Sequence, residues 1–230
     1  MEGSVEFPSF VQFLRSRLRA PLPGYEGQRA MAPFAKTIYE PPTTESYKQS
    51  AVLALLFDKP AEEELEILLT VRSGELKNHS GQISFPGGRS DANETIHETA
   101  LRETREEVGI PERNIVLLGE LTPLYVPVSQ SMIYPVLGFH KGAPTLTPNP
   151  AEVQEAFSIS LRELLDPSKI ERQRWTVLGR EVEVPFWNLR RQTPLWGATA
   201  MMTAELLALY EEFLGAPRAG RMFNFISEHI

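Results

Sequence analysis

Residues 94–108 (ETIHETALRETREEV), closed by Gly109, constrain this chain more than any other stretch, because they read as one helix with two unlike faces. A glycine directly after the last periodic residue is a common C-terminal stop. Glu106 and Glu107 follow Glu103 by three and four positions, so the three carboxylates share one flank. Leu101, Thr104 and Val108 point elsewhere and, with His97, form the expected packing stripe. Three like charges on one flank raise one another's pKa and cost stability. Arg102 and Arg105 offset part of that cost, and a solvated surface helix accounts for such a composition on its own. Grouped carboxylate oxygens are also what a hard divalent cation such as Mg²⁺ seeks, and the ion relieves their repulsion. The helix follows Phe85-Pro86-Gly87-Gly88, a turn where backbone can approach a ligand or metal closely.

Around this segment lies a chain of 230 residues, 42% hydrophobic and 23% charged, enough for one generous domain with a proper core. The formal net charge of -7 argues against a generic nucleic-acid binder, which would carry a basic surplus. An acidic protein that handles phosphorylated substrates needs a divalent cation between the two sets of charges. Cysteine is absent, which excludes disulfides, thiolate zinc and a cysteine nucleophile. Residues 1–20 mix Glu2, Glu6, Arg15, Arg17 and Arg19 into their apolar positions and lack the apolar core of a signal peptide. The most apolar run, 51–57, is too short to span a bilayer. The expectation is a cytoplasmic protein with no membrane and no nucleic-acid partner.

Apolar spacing predicts a helix over residues 5–18, with Phe7, Phe10 and Phe13 available to cap the chain's own domain, and a Pro- and Gly-bearing stretch over 21–42. Strands are predicted at 51–57 and 65–72 around a polar turn, and a Gly/Ser/Pro-rich loop at 77–89 surrounds the short apolar element 83–85. Further strands are read at 114–126, 132–140, 173–178 and 181–187. A loop is read at 143–150, a short helix at 159–165 and a long helix at 198–214. Strands interleaved with a few helices, without regular βαβ spacing, predict an α/β (α+β) protein with a mixed β-sheet flanked by helices. Residues 1–44 are expected to be an extension packing on a domain formed by 45–230.

Gly88, Glu94 and the run Arg102-Glu103-Thr104-Arg105-Glu106-Glu107-Val108-Gly109-Ile110 resemble the complete signature of the Nudix hydrolase family. One slot departs: Thr104 stands where the pattern prefers an aliphatic residue. Just upstream, Leu68-Leu69-Thr70-Val71-Arg72-Ser73, Lys77, Gly81 and Phe85 to Gly88 resemble the motif of the coenzyme A pyrophosphatase branch. There Lys77 replaces an arginine and keeps the charge without the bidentate fork. Trp196-Gly197-Ala198-Thr199-Ala200 resembles the tail segment of that branch, and the resemblance covers roughly residues 45–215.

The resemblance implies a Nudix-type α/β/α sandwich and a pyrophosphatase that uses Mg²⁺ or Mn²⁺. Its substrate would be coenzyme A or a derivative, cut to 3′,5′-ADP and 4′-phosphopantetheine. It implies that Glu103, Glu106 and Glu107 hold the metal, with a backbone carbonyl of Gly87 or Gly88, while Arg102 orients the carboxylates and Glu94 braces the preceding loop. The general base, or a further ligand, would come from a later segment, where Glu152 and Glu155 are the candidates. Arg72, Lys77, Gly87, Gly88 and Arg89 are the candidate substrate contacts, and Trp187 or Trp196 could stack on adenine. His79 and His97 receive no role. The competing readings are a Nudix enzyme acting on ADP-ribose, NADH or a diadenosine polyphosphate, an isomerase of allylic diphosphates, and a binding module without turnover. The oligomeric state, monomer or homodimer, stays open.

Overall fold

The computed structural model describes residues 7–41, 47–59, 64–74 and 81–215; Val5, Lys77 and His79 fall outside them. The predicted N-terminal helix is α1 (Ser9–Arg17), followed by the single turn α2 (Tyr25–Gln28). Strand β1 (Lys48–Lys59) pairs antiparallel with β2 (Glu64–Arg72) and with the short β4 (Gly87–Arg89), while β3 (Ile83–Ser84) pairs with β2. Next come α3 (Ile96–Val108), β5 (Ile115–Glu120), β6 (Leu124–Val126) and β7 (Ser131–His140). Strand β7 runs parallel to β1 and antiparallel to β5 and β6, which makes the sheet mixed. Strand β8 (Val153–Ser160) pairs with β2 and leads into the short helix α4 (Leu161–Leu164). A three-stranded sheet of β9 (Ile170–Val177), β10 (Arg180–Trp187) and β11 (Leu195–Trp196) precedes the long helix α5 (Gly197–Phe213).

Alternation along β1 divides the apolar residues between two cores, since successive side chains point to opposite faces. Ala51, Leu53, Leu55 and Phe57 pack with Ala100 and Val108 of α3. Ala54 and Leu56 pack with Val11 and Leu14 of α1 and with the leucines of α5. Helices therefore cover both faces, as an α/β/α sandwich requires. Helix α5 is apolar almost all round and buries Met201, Met202, Ala204, Leu206, Leu207 and Leu209. Such a helix needs cover on its outer side as well. The N-terminal segment supplies it: Phe10 lies 4.8 Å from Tyr210 and Phe13 5.6 Å from Phe213, ring centre to ring centre, and Arg17 Nε lies 2.8 Å from Glu212 Oε1.

Three sequence expectations shift. The continuous strand over 114–126 is interrupted at Leu121–Pro123, where proline has no N–H to give to a ladder. The short helix expected from Ile159 starts at Leu161, because Ile159 and Ser160 complete β8 and the Ser160 hydroxyl caps α4 by accepting from Glu163 N–H. The packing face of α3 is Thr99, Ala100, Thr104, Glu107 and Val108, with Leu101 and His97 only half-buried at its side. Glu107 thus leaves the solvent flank expected for it and lies 1% exposed.

Candidate active site

Local chemistry sets both ends of α3. Thr95 caps the N-terminus by accepting from Glu98 N–H at 3.2 Å, and the Glu98 carboxylate accepts from Thr95 N–H at 2.8 Å, a reciprocal pair. At the C-terminus Gly109 adopts φ 77°, the left-handed conformation that side chains disfavour. The loop after β7 then docks on the open carbonyls of the last turn: Thr147 N–H donates to Val108 C=O and Asn149 N–H to Glu107 C=O, both at 2.9 Å. Asn149 also turns the chain back, accepting from Ala151 N–H on its side chain and donating to Glu152 Oε1 at 3.3 Å. Glu152 C=O accepts from Ser73 N–H at 2.8 Å, which ties this loop to the end of β2.

The result is a cluster in which one carboxylate oxygen each from Glu103, Glu107 and Glu152 lies within 4.8 Å of the others. Glu107 Oε2 accepts from Gly87 N–H at 3.2 Å, and its Oε1 lies 3.5 Å from Arg72 Nη1. Burial pushes the Glu107 carboxyl up to about 7; Arg72 and the Gly87 N–H oppose the shift, while Glu103 and Glu152 add to it. Burial raises Glu103 as well, against the pull of Arg102, whose Nη1 lies 2.9 Å from Glu103 Oε1. Gly87 has no room for a side chain, since a Cβ there would stand 2.4 Å from the Ala51 carbonyl oxygen, whereas a Cβ on Gly88 would stand 2.5 Å from Glu103 Cδ and push that carboxylate aside.

Arg102 organises the surroundings. Its Nε and Nη2 grip both oxygens of Glu94 at 2.6 and 3.0 Å, Nη1 reaches Glu103 and Glu106, and Nη2 donates to the Arg89 carbonyl at 3.2 Å. This hydrogen-bonded fork, with Asp91 N–H and the Thr99 hydroxyl, holds the Glu94 carboxyl down at about 2. Glu94 therefore bridges the loop and α3 without facing the carboxylate cluster. Glu106 lies on the outer flank between Arg102 and Arg105, at 3.2 and 3.4 Å, and is absent from the cluster.

Of the two later carboxylates, Glu152 reaches the site and Glu155 does not. Glu155 is exposed on β8 and paired with Arg191, whose guanidinium stacks 3.6 Å above the Phe157 ring. Arg89 is exposed beside Gly88. Arg72 Nε is buried without a hydrogen-bond partner among the described residues. Arg72, Gly87 and Gly88 also border a largely apolar pocket of about 300 Å³, walled by Val52, Phe85 and Trp196. Trp187 is fully buried and donates its Nε1 to the Leu164 carbonyl at 2.9 Å, so it belongs to the core. Other wall residues, Phe34 and Ile38 of the N-terminal segment, escaped sequence reasoning, since nothing local marks a residue as facing a pocket some 50 positions downstream.

A carboxylate cluster of this density, half withdrawn from water, holds either protons or a cation. Its oxygens are the hard donors that Mg²⁺ or Mn²⁺ takes, so the residues fit a divalent ion.

Comparison with known proteins agrees with this geometry. A model described as NUDIX domain matches residues 47–178. The chain is 35% identical over 164 residues to an uncharacterized Nudix hydrolase, NudL, of Photorhabdus laumondii, covering 71% of this chain and 85% of the relative. It is 35% identical over 161 residues to the human mitochondrial coenzyme A diphosphatase NUDT8, covering 66% of each. The crystal structure of a MutT protein from Methanosarcina mazei Go1 superposes with a TM-score of 0.50 at 16% identity, over 74% of this chain and 99% of that one. Since the matched span exceeds half of the chain and includes the whole glutamate-bearing helix, this protein belongs to the Nudix hydrolases, enzymes that act on phosphoric anhydrides.

Proposed function

We propose that the protein is a metal-dependent pyrophosphatase that hydrolyses the diphosphate of coenzyme A or a derivative to 3′,5′-ADP and 4′-phosphopantetheine. The observation that carries this reading is the shared border of the carboxylate cluster and the apolar pocket at Arg72, Gly87 and Gly88. A diphosphate placed at the cluster would extend one substituent directly into that pocket. Relatives named coenzyme A diphosphatase, at about 35% identity, support the same substrate.

Glu103, Glu107 and Glu152 would hold Mg²⁺ or Mn²⁺, with the Gly88 carbonyl beside them and Glu106 joining as its pairs with Arg102 and Arg105 open. When bound, such an ion neutralises phosphate oxygens and lowers the pKa of water at the site. Arg102 keeps Glu103 oriented from outside the cluster. Arg72, whose Nε has no partner among the described residues, and the exposed Arg89 are assigned to substrate phosphates, together with Lys77 outside the described residues. Of the later carboxylates we assign Glu152, not Glu155, to the chemistry, where its oxygen can also take the proton of the attacking water.

Incubation of the purified protein with coenzyme A, ADP-ribose and NADH in the presence of Mg²⁺ or Mn²⁺, with products identified by mass, tests this reading. Release of 3′,5′-ADP and 4′-phosphopantetheine is expected. Efficient ADP-ribose cleavage with no 3′,5′-ADP from coenzyme A would overturn it.

A further inference from the structure

The pocket beside the carboxylates is closed by residues from distant parts of the chain. Phe34 and Ile38 come from the segment ahead of the matched domain. Val128 lies in the turn between β6 and β7, and Leu178 at the tip of the β9–β10 hairpin. Two of these are unusual. Val128 is 62% exposed and Leu178 49%, so the mouth of the pocket carries an apolar rim open to water. Leu178 also has a φ of 53°, with Gly179 at 71°, in a two-residue turn linking Val177 to Arg180. Such turns favour Asn-Gly, because both residues take left-handed backbone. A bulky leucine there is strained, and it is not compensated by burial in the fold.

The volume limits the occupant. At about 300 Å³ the pocket is at the lower end of small-ligand sites, so it takes an arm of a substrate rather than a whole acylated one. An arm leaving the diphosphate at Gly87 and Gly88 therefore fills the pocket, and whatever it carries at its far end emerges over Val128 and Leu178. Resting on the coenzyme A reading, we infer that Val128 and Leu178 are specificity-determining residues: their apolar rim receives an acyl group on the thiol end of the pantetheine arm and selects acylated substrates over the free thiol. The Phe34 and Ile38 wall from the N-terminal segment guides the arm to that rim.

The test is a chain-length series on the full-length protein with Mg²⁺, following 3′,5′-ADP release from free coenzyme A and from its acetyl, butyryl, hexanoyl and octanoyl thioesters. Half-covering each methylene at an open rim lowers KM by about twofold per added methylene, and by at least about tenfold over the series. Asparagine suits left-handed backbone, so Leu178→Asn keeps the turn while removing the apolar surface. In that variant the ratio of KM for the free thiol to KM for the octanoyl thioester is expected to fall by about threefold or more, adding Val128→Ser is expected to bring it to about one, and Leu178→Met is expected to keep it. A flat series in the unaltered protein, or a full gradient surviving in a Leu178→Asn, Val128→Ser double variant, overturns the inference while leaving the coenzyme A reading standing. No 3′,5′-ADP from any of the compounds removes both.

Discussion

Burial of Glu107 beside Glu103 and Glu152 keeps a proton on its carboxyl up to about pH 7, well above the 4.5 of an exposed glutamate. The sign of the linkage follows. A carboxyl raised in the folded state stabilises fully below 4.5, and that contribution is lost as pH rises through 7. The metal-free protein should therefore lose up to about 3 kcal/mol from this group between pH 4.5 and 8, measured by urea unfolding in a chelator. Mg²⁺ should restore stability at pH 8 and much less at pH 5, because protons and cation compete for the same oxygens. Glu94, held down at about 2, works the other way: its contribution is present above 4.5 and fades as pH falls through 2. The choice between the two later carboxylates is tested by substitution. Glu152→Gln is expected to cut kcat by about 100-fold or more, and Glu155→Gln, which only frees Arg191, by less than about threefold. Comparable losses in both would place Glu155 in the chemistry after all.

At the level of elements, α3 is legible in its body and its Gly109 stop, which are local properties, but it begins at Ile96 rather than Glu94, because Thr95 caps it. Thr95 and Gly109 close it as their side-chain chemistry dictates. Thr95→Ala should therefore lower stability by about 1 kcal/mol in thermal or urea unfolding while kcat stays within about twofold, since none of the clustered carboxylates bonds to the cap. What periodicity could not reveal was the angle at which α3 meets the sheet. Spacing groups Glu103, Glu106 and Glu107 on one flank, but the contact with β1 and β4 turns Glu107 inward and leaves Glu106 in water. The loop at 143–150 was recognised by its prolines and threonines, yet its function as the carrier of Glu152 depends on docking to the last carbonyls of α3. Strand β8 escaped for a related reason: alternation is weak where buried Val153 and Phe157 flank exposed Gln154 and Glu155.

For the whole molecule, the decisive tie is Glu205 on α5, fully buried and accepting from four donors on two other segments. Gly24 N–H and the Thr122 hydroxyl reach its Oε1 at 2.9 and 2.6 Å; the Gln28 side-chain amide and Thr122 N–H reach its Oε2 at 2.9 and 3.3 Å. Replacing one oxygen by an amide in Glu205→Gln sets donor against donor. The expected cost is about 2 kcal/mol, a fall in Tm of about 4–8 °C, with faster proteolysis of residues 20–40. An unchanged Tm would mean that the N-terminal segment is held by its aromatic contacts and the Arg17–Glu212 pair instead. Spacing and side-chain chemistry over a few turns were enough for the helix, its Gly109 stop and the carboxylates as a cation-binding set, while the family and its sandwich came from the resemblance of the signature residues. Tertiary structure alone brings Glu152 to Glu103 and Glu107, leaves Glu106 facing water, and sets Phe34, Ile38 and Leu178 around one pocket. Those outcomes depend on segments far apart in the chain meeting in space, and no local preference encodes where such a meeting occurs.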